Sequence, residues 1–196
     1  MAEMGISGYF AEPQREPLCA VGSHRGPSVN AQICISVFSA SIVPEQPRLG
    51  VILWKSNYTH DLVTASGTFA VTLLTAGQLD LFVPLGLETG RTADKLSGIE
   101  VGLTPSGDPF FPGSAGYLDC EVLADLDLGD STLFIAGIRS DHDLGESEPV
   151  TWARARSLLP HDVLDRYGAK FASDVKWSAE RALWLPGSAA RRKPRV

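Results

Sequence analysis

Lys55-Ser56-Asn57-Tyr58-Thr59-His60 places a cation and several hydroxyls side by side, directly after an apolar segment ending at Trp54. The pattern beyond it is helical, so the free amides of a first helical turn converge with those side chains on one point. Such a point suits an anion. A second cationic turn, Gly90-Arg91-Thr92-Ala93-Asp94-Lys95, lies downstream. Two turns of this kind folded towards each other suit a phosphate monoester, which carries nearly two negative charges. An ordinary capped helix and a solvated turn account for the same residues, and local chemistry alone leaves both readings open.

Other constellations fail on their spacing. No GxGxxG occurs, and Gly86-Leu-Glu-Thr-Gly90-Arg91-Thr92 is one residue short of a phosphate loop, with Arg in place of Lys. Asp125-x-Asp127-x-Gly129-Asp130 resembles the start of a calcium loop, but position twelve is Ala136 instead of Glu, so an acidic hairpin turn is expected. Asp141, His142, Asp143, Glu146 and Glu148 supply a single imidazole among acids, the pattern of a solvated loop. His24, His60, His142 and His161 show no HExxH or HxH spacing, and no GxSxG supports a nucleophilic serine.

Several segments are rich in β-branched or aromatic residues and bounded by turn formers. They predict strands over Leu18–Gly22, Val29–Ser41, Arg48–Trp54, Thr68–Leu74, Gly116–Leu126, Thr132–Ser140 and Glu148–Ala153. Short helices are expected over His60–Ser66, with Thr59 as its cap and Gly67 as its left-handed stop. Others are expected over Gly77–Pro84, Thr92–Ser97 and Pro160–Tyr167, the last ending at Gly168. Strands without long intervening helices argue against a parallel doubly wound sheet and for an antiparallel barrel with covering helices.

The chain has 196 residues, 17 basic and 23 acidic, for a net charge of −6. Arg191, Arg192, Lys193 and Arg195 crowd the last six residues, which leaves residues 1–190 at −10. That body repels phosphate backbones, so nucleic acid is not an expected partner. No apolar run reaches the ~20 residues that span a bilayer, and residues 1–17 lack the pattern of a secretory leader. Neither a membrane nor a secreted location is expected. Cys19, Cys34 and Cys120 are odd in number and far apart, which reads as packing thiols in a reducing cytoplasm.

The order of these pieces resembles the flavin reductase-like family of FMN-binding split barrels over residues 17–137. Pro17–Gly22 is similar to the family's opening strand, followed by the turn Asn30-Ala31. Ser36–Ser41 with Pro44 and Pro47 resembles its serine-rich strand and proline corner. Lys55–Leu62 and Ser66–Val71 resemble its phosphate turn, helix and next strand. Gln78–Leu81 and Gly90–Gly98 resemble a segment that usually ends in Asp-Lys-Phe. Leu118–Cys120 and Gly129–Gly137 resemble its final strand pair.

The resemblance implies a mainly β fold, an antiparallel split β-barrel with a few short covering helices, in one domain over 1–186 with a flexible basic tail over 187–196. It also implies a homodimer that binds FMN and passes a hydride from NAD(P)H to the flavin. Reduced flavin then serves a small-molecule electron acceptor or a partner oxygenase. Carried over by position, Lys55, Ser56, Asn57, Tyr58 and Thr59 hold the phosphate, with Arg91 and Lys95 as second-turn cations. Gln32, Ile33, Cys34, Ile35 and Ser36 lie along the isoalloxazine, where backbone amides donate to the ring. No catalytic side chain is implied, because the cofactor carries the hydride chemistry.

Three departures stand out. Ile33, Cys34 and Ile35 replace hydroxyl residues common along that strand. Ser131 stands where the family commonly has the His of Gly-Asp-His. The corner Pro44-Glu45-Gln46-Pro47 is longer than a plain Pro-Pro. The Ser131 departure keeps a second reading in play, an FMN-binding electron-transfer protein of the flavoredoxin kind without a nicotinamide site.

Overall fold

The structure, a computed structural model, describes residues 16–145 and 147–183. The expected basic tail and Glu146 lie outside the described residues. In chain order the strands are β1 (Cys19–Arg25), β2 (Ser28–Cys34), β3 (Val37–Ser39), β4 (Arg48–Trp54), β5 (Thr68–Leu73), β6 (Gly102–Leu103), β7 (Pro109–Phe110), β8 (Gly116–Asp127) and β9 (Ser131–Asp143). The α-helices are α1 (Tyr58–Ser66), α2 (Trp152–Leu158) and α3 (His161–Ala179). A 3-10 helix over Ala76–Leu81 runs into a π-turn over Val83–Leu87.

Seven strands form one sheet in the order β2-β1-β5-β8-β9-β4-β3, and every pairing is antiparallel. Its two end strands, β2 and β3, are joined by Ile35 and Ser36 alone. Opposite edges of the sheet must therefore meet, and the sheet curls into a split barrel. The expected single strand Val29–Ser41 breaks at this crossing, although the Ser36 carbonyl still accepts from Ile52 N–H at 3.1 Å. One apolar core draws Cys34, Val37, Val51, Val71, Leu118 and Phe134 from strands right round the sheet, as a curled sheet requires. A second core, built on Leu18, Ala20 and Ala31, packs outside β1 and β2 beneath Phe82, Leu85, Ala155 and Val163.

Further local expectations need correction, among them the solvated loop at Asp141, His142 and Asp143, which end strand β9. Thr59 does not cap α1: Asn57 is its N-cap, and Thr59 is buried inside the first turn. Gly67 does close that helix in the left-handed region, at φ +72°. Thr92–Ser97 forms turns, because the Asp94 carboxylate accepts from Leu96 N–H (3.1 Å) and offers the backbone an alternative to a helix. Glu148–Ala153 makes only isolated bridges at Pro149 and Thr151. Pro149 has no N–H to give a ladder, and Thr151 caps α2 by accepting from Arg154 N–H at 3.2 Å. The helix expected to stop at Gly168 runs on to Ala179, since the tertiary contacts of Val163, Leu164 and Tyr167 outweigh a penalty of ~1 kcal/mol for one interior Gly.

Candidate functional site

A cavity of about 530 Å³ opens along the free edge of β2. Because β2 pairs only with β1, its outer edge presents unpaired backbone amides and carbonyls to that space. Asn30, Gln32, Ile33, Cys34 and Ile35 line this wall. Alternation sends Asn30, Gln32 and Cys34 to one face of β2, and Ala31, Ile33 and Ile35 to the other.

Ser56, Asn57, Tyr58 and Thr59 close one end. Contrary to the expected Thr59 cap, no side chain caps the N-terminus of α1, and Tyr58 and Thr59 of its first turn, whose amides precede the first backbone bond of the helix, border the cavity. Asn30 fixes this end, donating from Nδ2 to Thr59 Oγ1 at 2.8 Å in a buried bond. Gly90 lies so close to Asn30 that a Cβ there would overlap its carboxamide. One side chain thus registers β2, α1 and the second turn against each other.

The two turns fold together, and of the three expected cations Lys95 lines the cavity while Arg91 and Lys55 stand outside its lining. Arg91 does not line the cavity; it reaches across the first turn to the carbonyls of Lys55 (3.1 Å) and Ser56 (3.4 Å) and pairs with Asp61 at 2.6 Å. It holds the turn from outside. Lys55 is likewise paired with Asp127 at 2.6 Å and stands off the cavity. Ser36 also falls outside the lining. Lys95 does reach the cavity, buried, with its ammonium donating to the carbonyls of Glu88 (3.2 Å) and Leu85 (3.4 Å). Burial, then the charge of Lys170, pulls its pKa down to about 8. His60 donates or accepts at Thr132 Oγ1 (2.8 Å), and its pKa is lowered chiefly by burial. Glu88 and Asp130 add carboxylates to the rim.

The opposite wall escaped the sequence reading. Trp152 and the α3 residues Tyr167, Lys170, Phe171, Asp174 and Val175 line it. Trp152 stacks on Phe82 at 5.7 Å and meets Tyr167 edge-on at 5.3 Å. The signal was a helical stripe, Tyr167, Phe171 and Val175 at i, i+4 and i+8, which Gly168 interrupts. Asn30 and Ala31, expected in a turn, lie within β2, and the buried Asn30 carboxamide ties the two cationic turns together.

Residues 15–157 match the family model for the flavin reductase-like domain. The chain belongs to that family. Among characterised relatives it is 28% identical over 138 residues to the high molecular weight rubredoxin of Moorella thermoacetica, covering 69% of this chain and 59% of the relative. It is 28% identical to a ferric-chelate reductase (NAD(P)H) of Archaeoglobus fulgidus, covering 62% and 72%. It is 28% identical to HsaB, the reductase subunit of a flavin-dependent monooxygenase of Mycobacterium tuberculosis, covering 56% and 57%. The chain therefore spans under two-thirds of the rubredoxin and of HsaB. Solved structures of the same fold include flavoredoxin from Methanosarcina acetivorans (TM-score 0.62, 22% identity, 71% of this chain and 76% of that one). An FMN-binding protein from Thermus thermophilus aligns with a TM-score of 0.61 at 24% identity, over 73% and 79%.

The residues around the cavity suit a flavin that carries a phosphate. Uncapped amides and hydroxyls stand at one end, as a phosphate requires, and the close approach at Gly90 leaves backbone where a side chain would intrude. Beside them runs a long, largely apolar wall, and Gln32, which borders it, keeps a buried oxygen with no hydrogen-bond partner among the described residues. α3 lies wholly beyond the stretch that matches the family model.

Proposed function

We propose that this protein is an FMN-dependent reductase that takes a hydride from NAD(P)H and hands electrons to a downstream acceptor. Bound FMN supplies the hydride chemistry. The protein's part is to hold and orient it: Ser56–Thr59 and the first amides of α1 bind the phosphate, while Asn30 and Arg91 keep that turn in place. The β2 edge from Gln32 to Ile35 donates backbone hydrogen bonds to the ring, and such fixed dipoles set its potential. Lys95 adds a cation towards the phosphate end. A homodimer in the cytoplasm, serving a partner oxygenase or a small acceptor, completes the reading; the reductase-subunit relative speaks for the oxygenase.

The observation that carries the reading is the single cavity joining an anion-ready helix start to an unpaired strand edge. The test is the absorption spectrum of the freshly purified protein, followed by cofactor occupancy in two variants. Thr59→Ala loses FMN while Asp143→Ala retains it; equal occupancy in both removes the phosphate assignment.

One observation favours a second reading. Ser131, in place of an imidazole, turns its hydroxyl to Asp130 at 3.2 Å. A carrier without a nicotinamide site would show no bleaching of bound flavin on rapid mixing with NADH or NADPH, whereas the reductase bleaches with at least one.

A further inference from the structure

Gln32 is 5% exposed and borders the cavity, yet its carboxamide makes no hydrogen bond to any described residue. Its two buried polar neighbours on that face of β2 are engaged: Asn30 donates to Thr59 at 2.8 Å, and the Cys34 thiol points to the Ile52 carbonyl at 3.8 Å. Across the strand pair it faces Val21, which offers no polar side chain. A buried carboxamide is costly when unpaired, and an apolar residue would fill the same position more cheaply. Its presence beside a cavity points to a ligand that completes it.

We propose that the Gln32 carboxamide hydrogen-bonds the pyrimidine edge of the bound flavin; this rests on the flavin reading above. A carboxamide carries one acceptor and one donor group in a plane, and the pyrimidine edge sets carbonyl acceptors beside the N3–H donor in a plane. Carboxamides read such paired edges bidentately elsewhere, as Asn and Gln do on adenine. The dimethylbenzene edge has no polar atom to offer. Two residues along β2 from Asn30, roughly 7 Å at the strand rise, Gln32 is also displaced from the phosphate turn in the direction the ring must extend. Backbone amides of β2 hold the ring generally; Gln32 adds the side chain that distinguishes this polar edge.

The test is fluorescence titration of the full chain and of Gln32→Met with FMN and with N3-methyl-FMN. The unaltered protein binds FMN about tenfold more tightly than the methylated flavin. Gln32→Met loses about tenfold for FMN and treats the two flavins alike within about twofold. Without ligand, Gln32→Met melts at the same or a higher temperature, because an apolar side chain of similar size replaces an unpaired one; a lower melting temperature marks a structural role and overturns the assignment. Full FMN affinity in the variant overturns it as well, and so does discrimination that persists there. If the variant does not fold, equal affinity of the unaltered protein for both flavins is the refuting result. An unaltered protein that binds neither flavin overturns the flavin reading itself.

Discussion

Replacing Asn30 with Ala tests the joint between the two turns. Asn30 is 2% exposed, and its Nδ2–Thr59 bond of 2.8 Å is fully buried. A buried neutral hydrogen bond contributes ~1 kcal/mol net, and an abandoned buried partner costs ~1–3 kcal/mol. About 2 kcal/mol is therefore the expected loss of stability. At ~2–4 °C per kcal/mol for a chain of this length, the melting temperature of the ligand-free variant falls by about 4–8 °C. The Thr59 hydroxyl and the Gly90 turn also lose their common reference, so FMN affinity drops about tenfold, equivalent to ~1.4 kcal/mol. Gly90→Ala pushes on the same carboxamide from the other side and produces the same pair of effects. Differential scanning fluorimetry and flavin fluorescence quenching read both quantities. An Asn30→Ala protein that melts within about 1 °C of the parent and binds FMN within about twofold refutes the reasoning.

Gly67→Ala places a Cβ in open space but at φ +72°, so it destabilises by ~1–2 kcal/mol through backbone conformation alone, measurable by urea denaturation. Cys19, Cys34 and Cys120 are buried, and burial raises all three thiols, Cys34 to about 12. The native protein therefore resists a thiol reagent at pH 8 and reacts at all three only once denatured; rapid labelling of the native protein contradicts the packing. Lys95 titrates near 8 when folded and near 10.5 when unfolded, a lowered cation. The unfolded chain binds the extra proton between those values, so this group makes stability rise from about pH 8 to about 10.5 and adds no pH dependence below. Lys95→Met flattens that rise in melting temperature against pH; an unchanged slope counts against the burial of the ammonium.

The strands were legible because their residues are β-branched and punctuated by turn formers; Arg48–Trp54 coincides with its expected limits. The family order supplied what pattern alone could not, namely that sequence-distant turns share one cavity. Ser56–Thr59, Lys95 and Gln32–Ile35 do line it. Arg91 shows where local chemistry falls short. A guanidinium near an anion site reads as a ligand, yet two carbonyls of the neighbouring turn and the Asp61 carboxylate of α1 hold it, and those contacts exist only after folding. Gly168 masks α3 because intrinsic propensity is weak beside tertiary burial. The type of Thr59 suggests a helix cap, whereas its hydroxyl accepts from Asn30 on β2.

The order of the sheet also limits which strands can pair while the chain is still being made. β5 and β4 acquire their inner neighbours only from the last hairpin, through β5–β8 and β9–β4 pairing. Until residues 116–143 emerge, the nascent polypeptide owns two separate sheet fragments, each with a raw apolar edge. Long-range pairing of this kind slows folding, and bare edges invite association. Nascent chains cut before residue 116 should thus be sticky substrates for holdase chaperones, and the barrel closes as one late event when the hairpin is inserted.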